Sequence, residues 1–413
     1  MTKQFQIKKI YFSLFVVIIS ALFSFGFYFA NRIYPVGDQT RFIIDAKQMN
    51  YNYLYFAIFR YMTWSSRLLI ETATMYFSLH EKIFLFSAFL ATLFLLICSR
   101  KLCPNLPVLP GILIFVFFPI PIFVSAGAIP TYTNYIFPAS LLIFSLFYKN
   151  SKKLIVKLLC LIFFVFSIMQ EQLAVYSFLW ILFECFSNVK SKYLKKIDII
   201  YLILSFSAIL SVKLSPGNSI RMIQETQNWF PNFNRLNMFQ KISLGTLETG
   251  RNLLNISKSS LFIFIFLILL LISALLARKV LSSILSAFVI ALLIASKLKI
   301  HFSLYKVFLI SQEAKRIGNF VNSIENYSAI LIYLIIFTCI FIALYFAVNK
   351  EKRVWYVYLL TSGMVGRMLL SFSPTIYASG ARTYLPVMIS LFIISCGLIN
   401  ENIILYQRKI TSV

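Results

Sequence analysis

Apolar runs of about 15–22 residues recur along the whole sequence, each closed by a polar connection. At ~1.5 Å of rise per residue, about 20 apolar residues in a helix cover the ~30 Å hydrocarbon core of a bilayer. We place about twelve such runs, near residues 10–30, 83–99, 106–124, 136–148, 154–169, 172–188, 197–213, 259–277, 281–298, 328–348, 354–370 and 382–399. Backbone amides in hydrocarbon must be satisfied within the segment, so runs of this kind become helices. The expected fold class is therefore all-α: a polytopic integral membrane protein, a single transmembrane domain over 1–413, with about 12 transmembrane helices. Composition agrees. Only 13% of the 413 residues are charged, 60% are hydrophobic and the mean hydropathy is +0.83; a soluble chain carries about a quarter charged residues.

The first run spans about 21 residues, longer than the ~7–15 of a secretory signal core, and reads as a retained span. Runs 154–169 and 172–188 are short enough to form either two spans or one broken pair that dips in and returns. Pro119 and Pro121 should kink the third run, because each removes a backbone donor. Lys and Arg cluster at alternate connections: Lys3, Lys8 and Lys9, then Arg100 and Lys101, 149–153, 190–196, Arg278 and Lys279, 350–353, and Arg408 and Lys409. By the positive-inside rule these are cytoplasmic, and an even span count puts both termini there. The net charge of +26 is thus largely topology, and no nucleic-acid partner is expected. A bias to Phe, Ile, Lys, Tyr and Asn suggests an AT-rich bacterial genome, hence the bacterial cytoplasmic membrane.

Polar length accumulates on the opposite side, in loops at about 31–82, 214–258, 299–327 and 371–381. Nine of the thirteen acids fall on that side: Asp38, Asp45, Glu71, Glu81, Glu171, Glu225, Glu248, Glu313 and Glu325. In the first loop, helix from Tyr34 onward would put Asp38, Arg41 and Asp45 on one face and pair Arg67 with Glu71 at i, i+4. Gly37 frees the backbone where Asp38 is presented. Residues 51–62 and 299–325 mix aromatics with isolated basic groups, as juxtamembrane helices in the interface plane do. Glu171 lies between two apolar runs, where a carboxylate is costly unless paired or facing a wet cavity. Ser215, Pro216, Gly217 and Asn218 are turn and cap residues, so a helix should start there and place Arg221 in its first turns, amides facing an anion. Ser373, Pro374, Tyr377, Gly380 and Arg382 form a third polar turn, with Arg367 just before it. Tyr132, Thr133, Asn134 and Tyr135 offer aromatic faces and uncharged hydrogen-bonding groups of a kind that suits a sugar.

A site with several arginines and few carboxylates suits an anionic ligand and a proton acceptor: guanidinium holds phosphate by a fixed fork, while a carboxylate takes a proton from a hydroxyl. The candidate base is Asp38. Candidate donor-phosphate ligands are Arg67, Arg221 and Arg382, and further substrate contacts are Arg41, Asp45, Trp64, Glu171, Asn218, Tyr132, Asn134 and Tyr377. The six cysteines lack metal-ligand spacing and only two histidines, His80 and His301, are present, so no metal site is expected.

Gly37–Asp38, Trp64–Ser65–Ser66–Arg67, Pro216–Gly217–Asn218–Ser219–Ile220–Arg221, and Ser373–Pro374 with Arg382 after it follow one another in the order of an early acid, a W-x-x-R element, a PGN-x-x-R loop and a late SP…R turn. In these the chain resembles polytopic bacterial glycosyltransferases of the GT-C superfamily. The resemblance implies sugar transfer from a polyprenyl phosphate to an extracytoplasmic cell-envelope glycan, with inversion. Many members carry paired acids in the first external loop; here Asp38 is followed by Gln39, so divalent-metal dependence and the identity of the base stay open. No cytoplasmic segment is long enough for a nucleotide-sugar domain, which favours a lipid-linked donor. A lipid-linked oligosaccharide polymerase or ligase, and a polysaccharide or lipid transporter, are the alternatives; a transporter should show charges along its spans and internal repeats.

Overall fold

The computed structural model describes residues 3–33, 37–190, 195–257, 260–300 and 304–411. These form α-helices and short 3-10 turns, with no strand among the described residues. Tyr34 and His301 lie outside them. The chain groups into two compact units, Met1–Arg221 and Met222–Val413.

The first unit contains α1 (Lys3–Ile33), α2 (Asp38–Gln48), α3 (Tyr53–Thr63), α4 (Leu68–Leu79), α5 (Glu81–Leu102), α6 (Leu109–Phe117), α7 (Ala128–Asn134), α8 (Ile136–Tyr148), α9 (Leu154–Ser167), α10 (Glu171–Lys190), α11 (Lys196–Leu214) and the start of α12 (Pro216–Trp229). Here α1 packs on α5, α5 on α8, α8 on α9 and α10 on α11, while α2, α3 and α7 gather on α4. The run at 106–124 is broken rather than kinked. α6 stops at Phe117, Pro119 is extended (φ −66°, ψ 126°), and a 3-10 turn carries Ile120–Val124, because two prolines two residues apart leave too few donors to continue the helix. α9 and α10 are separate helices joined by a turn at 168–170.

The second unit contains α13 (Met238–Leu254), α14 (Leu261–Leu276), α15 (Val280–Lys297), α16 (Leu304–Ile317), α17 (Ile324–Ala347), α18 (Lys350–Met368) and α19 (Leu385–Thr411). Its central helix is α19: the apolar stretch within Ala381–Gln407 is 83% buried, against less than half for every other long apolar helix. α14 and α18 pack on α19, and α15 packs on α14 and α17.

Among the described residues, six helices are long and apolar enough to cross a membrane: Ile10–Ile33, Glu81–Leu102, Lys196–Leu214, Val280–Lys297, Ile324–Ala347 and Ala381–Gln407. The protein is membrane-embedded and all-helical. α8, α9 and α14, at 13, 14 and 16 residues, rise only ~20–24 Å.

One residue of the basic connections is buried. Lys149, expected as a cytoplasmic charge, is 2% exposed. Its ammonium meets Glu184 and, at 2.7 Å, Asp198 Oδ1, itself 1% exposed. Trp180 Nε1 donates to Glu184 Oε1 at 3.0 Å. This buried ion cluster ties the end of α8 to α10 and α11.

Candidate functional site

The polar cluster of the first unit is built on α2, α3 and α4. Phe42 and Ala46, one turn apart on α2, are buried against Phe56 of α3 and Met75 of α4. Burying a phenylalanine contributes about 2–3 kcal/mol, so this apolar stripe fixes which way α2 faces. Asp38, Arg41 and Asp45 consequently share the opposite side, as their spacing predicts, with Asp38 and Arg41 exposed and Asp45 half-buried. Asn52 caps α3 by accepting from the Tyr55 amide at 3.0 Å.

Gly37 aims Asp38. Its φ is +111°, and a Cβ built on it would lie 2.9 Å from the Ala126 carbonyl oxygen, which accepts from the Asp38 amide at 3.2 Å. Both the left-handed backbone and the contact exclude a side chain. Gly37→Ala should cost about 1–3 kcal/mol and lower the unfolding temperature in detergent by several degrees; an unchanged temperature would show that the 37–38 turn is not held in this geometry.

Trp64 ends α3. Three guanidinium carbons lie near its indole: Arg60 at 5.3 Å, Arg221 at 5.4 Å and Arg41 at 5.8 Å from the ring centroid. Such cation–π contacts contribute about 0.5–1 kcal/mol each where exposed and more where water is excluded. Arg221 arrives on α12, which starts at Pro216 as its turn residues predict. Gly217 permits that arrival: a Cβ there would sit 2.4 Å from the Trp64 amide nitrogen and 2.6 Å from the Tyr61 carbonyl oxygen. Ser215 Oγ donates to that same carbonyl at 2.9 Å, and Asn218 Nδ2 donates to Ser66 Oγ at 3.2 Å and to the Val212 carbonyl at 2.8 Å. Asn218 therefore ties two segments together and has little left to offer a substrate.

Two ion pairs neutralise the interior of the cluster. Arg60 Nε and Nη2 reach Glu71 Oε2 at 3.0 and 2.9 Å, with both side chains under a tenth exposed. Arg67 does not pair with Glu71, as its i, i+4 spacing had led us to expect. It sits just before α4, and its Nε and Nη2 grip Glu171 Oε2 at 2.8 and 2.6 Å, while Nη1 donates to Asn134 Oδ1 at 2.8 Å. With all three nitrogens engaged, Arg67 is a positioning group rather than an open phosphate ligand. Glu171, the carboxylate expected to need a partner, has one. Burial alone would raise the Glu171 carboxyl, but the Arg67 guanidinium outweighs it and holds it below the ordinary carboxylate range. Burial likewise opposes the charged Arg67, and the Glu171 carboxylate more than compensates, raising it further.

Two other expected substrate contacts are structural. Tyr132 is fully buried, its ring 4.7 Å from that of Phe27 and its hydroxyl donating to the Ala88 carbonyl at 3.3 Å; it packs α7 onto α1 and α5 and presents nothing to a sugar. Asn134 spends its oxygen on Arg67 and its nitrogen on the Pro130 carbonyl, at 2.8 Å. Tyr377 and Arg382 belong to the second unit, where both are half-buried. Tyr377 stacks near Phe230 at 5.7 Å under the Lys315 ammonium at 5.5 Å. Sequence reasoning missed Arg60–Glu71 as a pair. An arginine in the otherwise apolar helix YLYFAIFRYMT, one turn after Phe56, was its available signal.

Among the described residues no group of three or more His, Cys, Asp and Glu gathers as metal ligands would. Of the acids on α2, α4 and the start of α10, Glu71 and Glu171 are locked to arginine, whereas Asp38 and Asp45 form no ion pair among the described residues. No family model, no characterised protein and no solved structure matches this chain.

Proposed function

We propose that the protein is a membrane glycosyltransferase of GT-C-like, twelve-span architecture. It moves a sugar from a polyprenyl phosphate to a cell-envelope glycan on the outer side of the bacterial cytoplasmic membrane, both termini lying inside. The observation that carries this reading is the partition of the acids. Glu71 and Glu171 are consumed by Arg60 and Arg67, while Asp38 stands exposed one helix turn from Arg41, which faces the Trp64 indole together with Arg221. A carboxylate held this way beside guanidinium groups has the parts that sugar transfer from a phosphate needs.

In this reading the acceptor hydroxyl gives its proton to Asp38 as its oxygen attacks the anomeric carbon. The bond from that carbon to the phosphate oxygen breaks, the electron pair leaves with the phosphate, and the configuration inverts. Arg41 and Arg221 stabilise the charge that develops on the leaving phosphate, and Arg67, held by Glu171 and Asn134, fixes the start of α4 around them. No cofactor enters the scheme.

The test is to give the purified protein, in detergent and separately reconstituted in sealed vesicles, a polyprenyl phosphate carrying a labelled sugar, with and without the envelope glycan. The expected result is label in the glycan, in inverted linkage. Label that stays on the lipid would overturn the reading, and label that crosses a sealed vesicle without an acceptor would mark a carrier instead.

A further inference from the structure

Arg41 passes over two acids to reach Trp64. On α2, Asp38 lies three residues before it and Asp45 four residues after it, the two spacings at which helix side chains meet. An exposed arginine so placed has a local ion pair on either side, and the acid-first order of Asp38 and Arg41 is the better one. Yet Asp38, Arg41 and Asp45 form no ion pair among the described residues, and the Arg41 guanidinium carbon lies 5.8 Å from the Trp64 ring centroid instead. Magnitudes favour the ring. An exposed helix pair shifts an equilibrium by about twofold, a cation–π contact by about two- to fivefold.

The other two guanidinium groups at the indole are accounted for by acids. Arg60 is locked to Glu71 at 2.9 Å, so its charge is met and does not drive Arg41 away. Arg221 lies in the field of Glu171: against burial, which would raise it, that carboxyl is held down by Arg67 and further by Arg221. Arg41 depends on the ring. The ring in turn is anchored through its backbone, because the Trp64 amide donates to the Arg60 carbonyl at 2.8 Å and Gly217 abuts that same nitrogen.

We propose that Trp64 is a positioning residue rather than the substrate contact expected from the sequence: its indole holds Arg41 off Asp38. The carboxylate thereby stays unpaired for the acceptor hydroxyl, and the guanidinium stays at the indole with Arg221 for the leaving phosphate. The role in catalysis rests on the sugar-transfer reading; the hold on Arg41 does not, and the test reads the two separately.

The first measurement needs no transfer. The purified full chain in neutral detergent is labelled with a carbodiimide and an amine, and the label at each carboxyl is quantified by mass spectrometry at low ionic strength, where an exposed pair is least screened. In Trp64→Leu the freed Arg41 should turn to Asp38, and labelling of Asp38 should fall about twofold. Trp64→Phe, which keeps a ring face, should retain most of it, and Trp64→Leu with Arg41→Gln should restore it in full. Unchanged labelling of Asp38 in Trp64→Leu would overturn the proposal. So would a fall at Asp45 alone, or a loss at Asp38 that removing Arg41 does not restore, since that marks a merely structural tryptophan. Should Trp64→Leu fail to fold, a tetrafluorinated tryptophan at the same position, equal in shape but with its ring charge drained, carries the same expectation. The second measurement is transfer itself. Trp64→Leu should lower kcat about two- to fivefold with KM nearly unchanged, whereas a rise in KM alone would make Trp64 a substrate contact after all. Labelling that behaves as expected in a protein that transfers no sugar would leave Trp64 holding Arg41 and remove the sugar-transfer reading.

Discussion

Asparagine in place of Asp38 is expected to lower sugar transfer by on the order of 10²–10⁴-fold, the usual contribution of a positioned general base. The amide keeps the size and the hydrogen-bonding reach of the carboxylate but does not accept the proton. The fold should survive. The Asp38 side chain is exposed, and the turn is held by the backbone amide bonded to the Ala126 carbonyl. The stability cost is limited to the loss of a negative charge in the first turn of α2, about 0.3–1 kcal/mol. The decisive measurement is the single-turnover rate with lipid donor in excess, alongside the unfolding temperature. Asp45→Asn serves as the internal comparison, since Asp45 is the other acid of α2 in no ion pair; it lies two turns further along the helix and should cost far less. A rate for Asp38→Asn within a few-fold of wild type, in a folded protein, would remove Asp38 as the base. Loss confined to Asp45→Asn would transfer the role.

What the sequence conveyed well was local. The face shared by Asp38, Arg41 and Asp45 follows from helical spacing against Phe42 and Ala46. The start of α12 at Pro216 follows from its turn residues, and the break near Pro119 from missing donors. What it did not convey was partnership across distance. Arg67 had a plausible acid four residues away, yet it takes one 104 residues away, because the turn before α10 brings Glu171 to the start of α4 while Glu71 points to Arg60. Charge count alone does not distinguish these pairings. Lys149 shows the same limit: its place at a span end says nothing of the two acids from α10 and α11 that meet it. Tyr132 failed in the opposite sense, as an amphipathic residue in a polar-looking stretch that folding turns inward.

Glu171→Gln should destabilise the protein by about 2–3 kcal/mol, below the ~3–5 kcal/mol for a fully buried pair because the Arg67 and Glu171 side chains are 13% and 23% exposed. The glutamine leaves a guanidinium held by Asn134 with no countercharge. A double variant, Arg67→Met with Glu171→Met, should recover most of the loss, since replacing a buried pair by apolar groups of similar volume is often neutral; failure to recover would mean that the cost lies in packing rather than in charge. The pH dependence separates the same two explanations. The Glu171 carboxyl is held below its ordinary value in the folded protein, so its stabilisation is complete above the unfolded carboxylate value of about 4.3 and is lost as pH falls through the lower folded value. Wild-type stability in detergent should therefore decline on the acid side of about pH 4, and that part of the decline should be shallower in Glu171→Gln, which has no proton to gain there. An identical acid limb in both proteins would show that Arg67 and Glu171 are not coupled, and with that the ordering of α4 around Trp64 would need another cause.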